Sequence, residues 1–301
     1  MKTTPRKPAD SPDTVESFTE GPDGTRLYVR QRAGAGRTVF VLCDGIVCDG
    51  YIYKYLWDDL AVFGSVAHWN YRGHGRSALP VDSKCIRVVD HAADLDAVRK
   101  HLGDPPVVLV GHSFGTQVAL EAYRLRPERV SALILLSGSF GRVTYTFKGS
   151  DMLASLLPDL IGFVERHPRM ARALWSRLPV QLGLQLARFS RDIDFSQVRV
   201  EDVRPYFEHA AHVDFEMFLH MLREAGEHSA EDLLPQIGTP TLVVAGERDS
   251  FTPPALSQAM ADSMPHGEYV LIPGGTHILP LEERERVNAA IAAFLSRVPM
   301  G

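Results

Sequence analysis

At 301 residues the chain is long enough for one large domain, or for a domain that carries an insertion. Its formal net charge of -5, with Lys and Arg scattered and no long basic run, excludes the electrostatic footprint of a nucleic-acid binder. No stretch approaches the roughly 20 apolar residues of a membrane span. Met1–Thr14 is polar, carries Pro5, Pro8 and Pro12, and lacks the apolar core of a signal peptide, so it reads as a disordered tail.

The predicted elements alternate in kind along the chain. Val15–Glu20, the turn Gly21-Pro-Asp-Gly24 and Arg26–Arg30 read as a β-hairpin. Thr38–Cys43 is a continuous apolar run, hence a buried central strand. A helix is expected over Tyr51–Val62, a strand over Ser65–Asn70 and an amphipathic helix over Asp90–Leu102, with Asp94 in its first turns. Between them, Tyr71-Arg-Gly-His-Gly-Arg-Ser77 is glycine-rich but lacks the G-x-x-x-x-G-K-[ST] spacing of a phosphate loop. Six residues of the stretch that begins at Val107 read as a buried strand, a helix runs from Thr116 to about Arg126, and Ser131–Leu136 is another buried strand. From 141 to 234 no strong strand appears; helical segments are expected over Met152–His167, Pro168–Arg177, Val180–Phe189 and Tyr206–Ala225. Alternation resumes with a strand at Thr241–Gly246, a helix at Pro254–Asp262, a strand at Glu268–Ile272 and a last helix at Leu281–Arg297. This order predicts an α/β fold, a mostly parallel central sheet with helices on both faces. Its expected core is 15–140 and 235–301, with a helical cap inserted at 141–234.

The chemistry centres on Gly111-His-Ser-Phe-Gly115. A buried strand runs into this pentapeptide and a helix leaves it, so Ser113 sits at the apex of a strand–turn–helix, the context of a nucleophile elbow. Crowded backbone at such a turn favours glycine two residues to either side. The Phe114 amide opens the helix, where an unpaired N–H and the helix dipole favour a negative oxygen.

A serine hydroxyl needs a histidine base, and the base needs an acid that fixes its tautomer. In open parallel sheets such groups gather beyond the carboxyl ends of strands. Asp249 follows the strand at 241–246, and His277 follows the strand at 268–272 through Gly274-Gly-Thr. Glu247 competes with Asp249, but side chains alternate along an extended strand end, so one of the two can face the site. Asp249 is preferred because it lies deeper in the loop and precedes the helix. His112 is read as structural, its side chain pointing away from the nucleophile. The second oxyanion donor is expected from Asp44-Gly-Ile-Val47, with the Ile46 N–H beside that of Phe114. Cys43, Cys48 and Cys85 have no metal-type spacing and read as buried free thiols of a reducing compartment, which predicts a cytoplasmic protein.

With these motifs the chain resembles the α/β-hydrolase superfamily in its capped form, over about Val15–Val298. The motifs are the elbow, the Tyr71–Ser77 loop, Gly246-Glu-Arg-Asp249 and Gly275-Thr-His277. The resemblance implies a helical cap over the site and no cofactor, and the reading is a serine hydrolase acting on carboxylic esters, with no metal. The insertion is rich in Leu, Phe and Met and carries Trp175; most of these are expected to be cap core and some to line an apolar pocket above Ser113, which favours a small-molecule substrate with an apolar acyl or aromatic group. Thioester hydrolysis, C–C bond hydrolysis and acyl transfer use the same triad, and a receptor-like homologue with little turnover is the rival of another class. Two departures stand out: Asp44-Gly45 replaces the usual His-Gly before the oxyanion residue, and Asn70 replaces the usual aspartate near Arg72. Asn70 is expected to be a local structural change. Asp44 is expected to turn away and accept loop amide hydrogen bonds, the alternative being that it meets a polar or cationic group of the substrate.

Overall fold

The structure is a computed structural model that describes residues 13–177, 179–190 and 192–299. The tail expected over 1–14 falls outside the described residues up to residue 12, whereas Thr14 already pairs with Arg32 in the first hairpin. Strands β1 (Thr14–Glu20) and β2 (Arg26–Arg32) form that antiparallel hairpin. The sheet continues with β3 (Val39–Cys43), β4 (Ser65–Trp69), β5 (Val107–His112), β6 (Val130–Leu136), β7 (Thr241–Gly246) and β8 (Gly267–Ile272). The order across it is β1-β2-β4-β3-β5-β6-β7-β8, parallel from β4 onward to β8. Strands β3 and β5 are buried along their whole length, as continuous apolar runs with helices on both faces require. Two apolar cores result, one on each face of the sheet.

The helices are α1 (Leu56–Leu60), α2 (Val88–His101), α3 (Phe114–Leu125), α4 (Val143–Thr146), α5 (Met152–Arg166), α6 (Pro168–Trp175), α7 (Val180–Ser190), α8 (Val200–Ala210), α9 (Phe215–Glu227), α10 (Pro254–Asp262), α11 (Leu279–Glu282) and α12 (Arg284–Leu295). Helices α4–α9 lie between β6 and β7 in the chain. Among the described residues, no helix is long and apolar enough to cross a membrane.

Three of the expected helices are corrected. The helix expected over Tyr51–Val62 is a 3-10 turn at Tyr51–Tyr53 followed by the short α1. There the Tyr53 hydroxyl reaches the carbonyls of Cys43, at the end of β3, and of Val110 within β5, and this tertiary anchor overrides continuous helix. The helix expected over Tyr206–Ala225 is two helices, because Asp214 caps α9 by accepting from the Met217 N–H. The final helix is likewise divided into α11 and α12. Of the three free cysteines, Cys43 and Cys48 are buried but Cys85 is half-buried.

Candidate active site

Ser113 stands between β5 and α3 with φ 55° and ψ -119°, a conformation that a residue with a side chain rarely adopts. Its N–H donates to the Leu136 carbonyl at 3.0 Å, which fixes the elbow to the end of β6. A Cβ at Gly111 would come within 2.5 Å of the Gly115 carbonyl oxygen, and one at Gly115 within 2.0 Å of that of Cys43. The two glycines therefore answer to close backbone contact. Phe114 is the first residue of α3, so its N–H has no partner within the helix.

The ends of β7 and β8 bring two further side chains to this serine. His277 Nε2 lies 2.9 Å from Ser113 Oγ, and its Nδ1 lies 3.0 Å from Asp249 Oδ2 and 3.1 Å from Oδ1. Asp249 is buried and also accepts from the Phe251 N–H, the Thr252 N–H and the Thr252 hydroxyl. Burial alone would raise its carboxyl, but the His277 imidazole and these donors hold it below the usual range. Glu247 points outward and accepts from the Gly274 N–H at the surface. The carboxylate against the imidazole is thus that of Asp249.

His112 makes no hydrogen bond to Ser113. Its Nε2–H donates to the His277 carbonyl at 2.9 Å, so it holds the backbone of that loop. Burial pushes it down to about 3, so the ring is neutral. Glu282 grips the same loop from the other side, accepting from the Thr276 N–H and hydroxyl and from the Asp194 N–H. Sequence reasoning missed Thr252 and Glu282. Thr252 was within reach, as the third residue after an aspartate at a turn leading into a helix; Glu282 carries no local signal.

Ile46 lies on the wall of the same cavity as Ser113. Its loop closes through Cys48 N–H to the Gly45 carbonyl at 3.2 Å, with Val47 in the left-handed region at φ 62°. Asp44 turns away from the cavity as expected, but its partner is not loop amides. It is fully buried, and its carboxylate accepts from His68 Nε2 at 2.7 Å. The β3–β4 register sets His68 beside Leu42, two residues before Asp44 and on the same side of the strand. The Tyr71 hydroxyl donates to the Asp44 carbonyl, fixing the backbone next to Gly45. Asp44→Ala would leave a buried imidazole nitrogen unpaired and is expected to lower the unfolding free energy by about 1–3 kcal/mol. Urea denaturation beside an acyl-length profile checks this; an altered acyl preference at unchanged stability would contradict the structural role. Asn70 braces its own loop, accepting from the Arg76 N–H and, through its carbonyl, from the Ser77 hydroxyl.

The cavity in front of Ser113 measures about 510 Å³. One side is formed by Gly45, Ile46, Cys48 and Tyr51, the other by α7 and α8 through Leu186, Val203, Tyr206 and Phe207. Trp175 does not reach it: the indole stacks on Phe215 at 4.2 Å and donates to the Ala210 carbonyl.

The family model for the alpha/beta hydrolase fold matches residues 38–284. The chain belongs to this family. The polyketide synthase ThaQ of Burkholderia thailandensis is 28% identical over 285 residues; the match takes in 92% of this chain but 12% of that protein. The pimeloyl-[acyl-carrier protein] methyl ester esterase of Xanthomonas oryzae pv. oryzae is 28% identical over 279 residues, 86% of this chain and 95% of its own. The solved esterase EaEST of Exiguobacterium antarcticum superposes with a TM-score of 0.75 at 20% identity, over 94% of this chain and 100% of that one. This superposition shows a fold shared with that esterase.

Proposed function

We propose that the protein is a serine hydrolase that cleaves carboxylic esters through an acyl-serine intermediate. The observation that carries this is the Ser113–His277–Asp249 contact series on the wall of an apolar cavity. His277 Nε2 takes the proton of Ser113 Oγ as the oxygen attacks the acyl carbon. Asp249 holds Nδ1–H and stabilises the imidazolium that forms. The amides of Ile46 and Phe114 receive the oxyanion, each worth about 3–4 kcal/mol in the transition state. His277 then gives its proton to the departing alcohol, and a water that it activates cleaves the acyl-serine. Helices α4–α9 act as a cap, and the apolar residues that α7 and α8 contribute suit an acyl chain or aromatic group. Hydrolysis in general agrees with the family, and ester cleavage agrees with the name of the Xanthomonas oryzae relative.

The test is a panel of esters and thioesters of varied acyl length on wild type and on Ser113→Ala, beside labelling by a fluorophosphonate probe. Turnover is expected on the esters, with a loss of about 10^6-fold in kcat on removal of the hydroxyl. Full turnover by Ser113→Ala, or a folded wild type that the probe does not label, would refute the reading.

A further inference from the structure

Away from Ser113 and His277, the cavity in front of the serine is mostly apolar but carries one cluster of thiol and phenol groups. Cys48, Tyr51 and Tyr206 line it together, and the two phenol rings lie 5.5 Å apart. The cluster begins at the oxyanion loop, because a Cβ on Gly45 would stand 3.2 Å from Cys48 Sγ and 3.4 Å from Ser113 Cβ. Its hydrogen bonds run one way. The Cys48 thiol donates to the Ile46 carbonyl at 3.6 Å, and Tyr51 is hydrogen-bonded to that thiol. Burial pushes the thiol well up, so it stays neutral and keeps its donor proton. The donors of Cys48 and Tyr51 are thereby committed. The Tyr206 hydroxyl bonds to no group among the described residues, and its ring is held in place by Tyr51 and Phe207. Asp192, which also lines the cavity, is already taken up by Lys148 and Ser250.

We propose that Tyr206, with Tyr51 beside it, is a specificity-determining subsite that donates a hydrogen bond to an oxygen acceptor carried on the acyl chain of the substrate, away from the scissile carbonyl. The substrate class is then an ester of an oxo- or otherwise oxygen-substituted acid rather than of a plain fatty acid; this rests on the ester-hydrolase reading above. A phenol facing an apolar cavity is favourable when a ligand supplies its acceptor and unfavourable when a methylene takes that place. A site built to hydrogen-bond its substrate discriminates against the analogue that lacks the group more strongly than an apolar pocket discriminates by size.

The experiment compares p-nitrophenyl hexanoate with its 4-oxo and 5-oxo derivatives, each rate divided by that of alkaline hydrolysis. One oxo ester is expected to exceed the plain ester in kcat/KM by at least about fivefold on wild type. Tyr206→Phe is expected to bring that ratio to about one. A wild-type ratio of one for both derivatives, or a raised ratio that survives Tyr206→Phe, overturns the proposal. Calorimetric titration of Ser113→Ala with methyl hexanoate and methyl 5-oxohexanoate gives the same comparison without turnover. If wild type hydrolyses none of the esters, the catalytic reading fails, yet tighter binding of the oxo ester still supports the subsite and equal binding still refutes it.

Discussion

Asp249→Asn is expected to lower kcat on an activated ester by about 10^4-fold without unfolding the protein. An amide at this position can present its NH2 to the imidazole and favour the tautomer with its proton on Nε2, the nitrogen that must stay free to accept from Ser113. The geometry makes the substitution mild for the fold. The carboxyl accepts from the Phe251 and Thr252 amides through Oδ1, a bond that the asparagine carbonyl can keep. Glu247→Gln is expected to leave kcat within about twofold, since that side chain bonds the Gly274 N–H at the surface. The acid also sets a pH dependence. The native Asp249 carboxyl lies below its ordinary value of 3.8. Its contribution to stability is therefore present above that value and is lost as pH falls through the lower native one. Steady-state kinetics of the two variants at neutral pH decide the assignment. A large loss at Glu247 with a small one at Asp249 would reverse it.

The parts that were legible in the sequence are those written locally. The strands β3 and β5 are uninterrupted apolar runs, and the elbow is a pentapeptide at a strand–helix junction, so each carries its own signal. The order of serine, aspartate and histidine follows from where strands end. What was not legible depends on contacts between distant segments. Nothing near Asp44 announces that His68 will face it, because that pairing is a matter of β3–β4 register. Tyr53 breaks the helix expected around it by bonding carbonyls of two strands, one of them more than 50 positions away. The helical segment between β6 and β7 shows the same limit. Helix α5 buries Leu157, Ile161 and Val164 and exposes Met152, Leu156 and Leu160. Both sets are apolar, so periodicity alone finds the helix but not the side that packs. The residues that face Ser113 from α8 were beyond reach for that reason, Tyr206 among them.

Arg72→Met is expected to lower the unfolding free energy by about 3–5 kcal/mol at pH 8, the usual result of removing one member of a buried ion pair. Arg72 leaves the loop after β4 and is almost wholly buried. Its Nε donates to Asp94 Oδ2 at 2.7 Å, and a second nitrogen reaches Asp94 Oδ1. A third donates to Asp23 Oδ2 at 3.0 Å and to the Cys85 carbonyl at 2.8 Å. One guanidinium therefore joins the first hairpin turn, the segment before α2 and α2 itself, all on the side of the sheet that supports α3. Pairing holds the guanidinium firmly protonated, whereas at Asp94 burial outweighs the same pairing and pushes the carboxyl up to about 6. Without Arg72, burial and the nearby Asp23 and Asp90 carboxylates act unopposed, and the carboxyl rises further. The sign follows from linkage. A carboxyl whose native value lies above its unfolded one takes up a proton on folding, so its favourable contribution is present at low pH and is lost as pH rises through the native value. The variant can neutralise Asp94 at pH 5 but holds an unpaired buried charge at pH 8. Its deficit against wild type is expected to be smaller at pH 5. Urea denaturation at the two pH values measures this, and the double variant Arg72→Met/Asp94→Leu should recover most of the loss at pH 8, since it replaces the pair by apolar side chains. An equal deficit at both pH values, unrelieved in the double variant, would mean that the packing of the Arg72 stem and its bond to Cys85 matter more than the charge of Asp94.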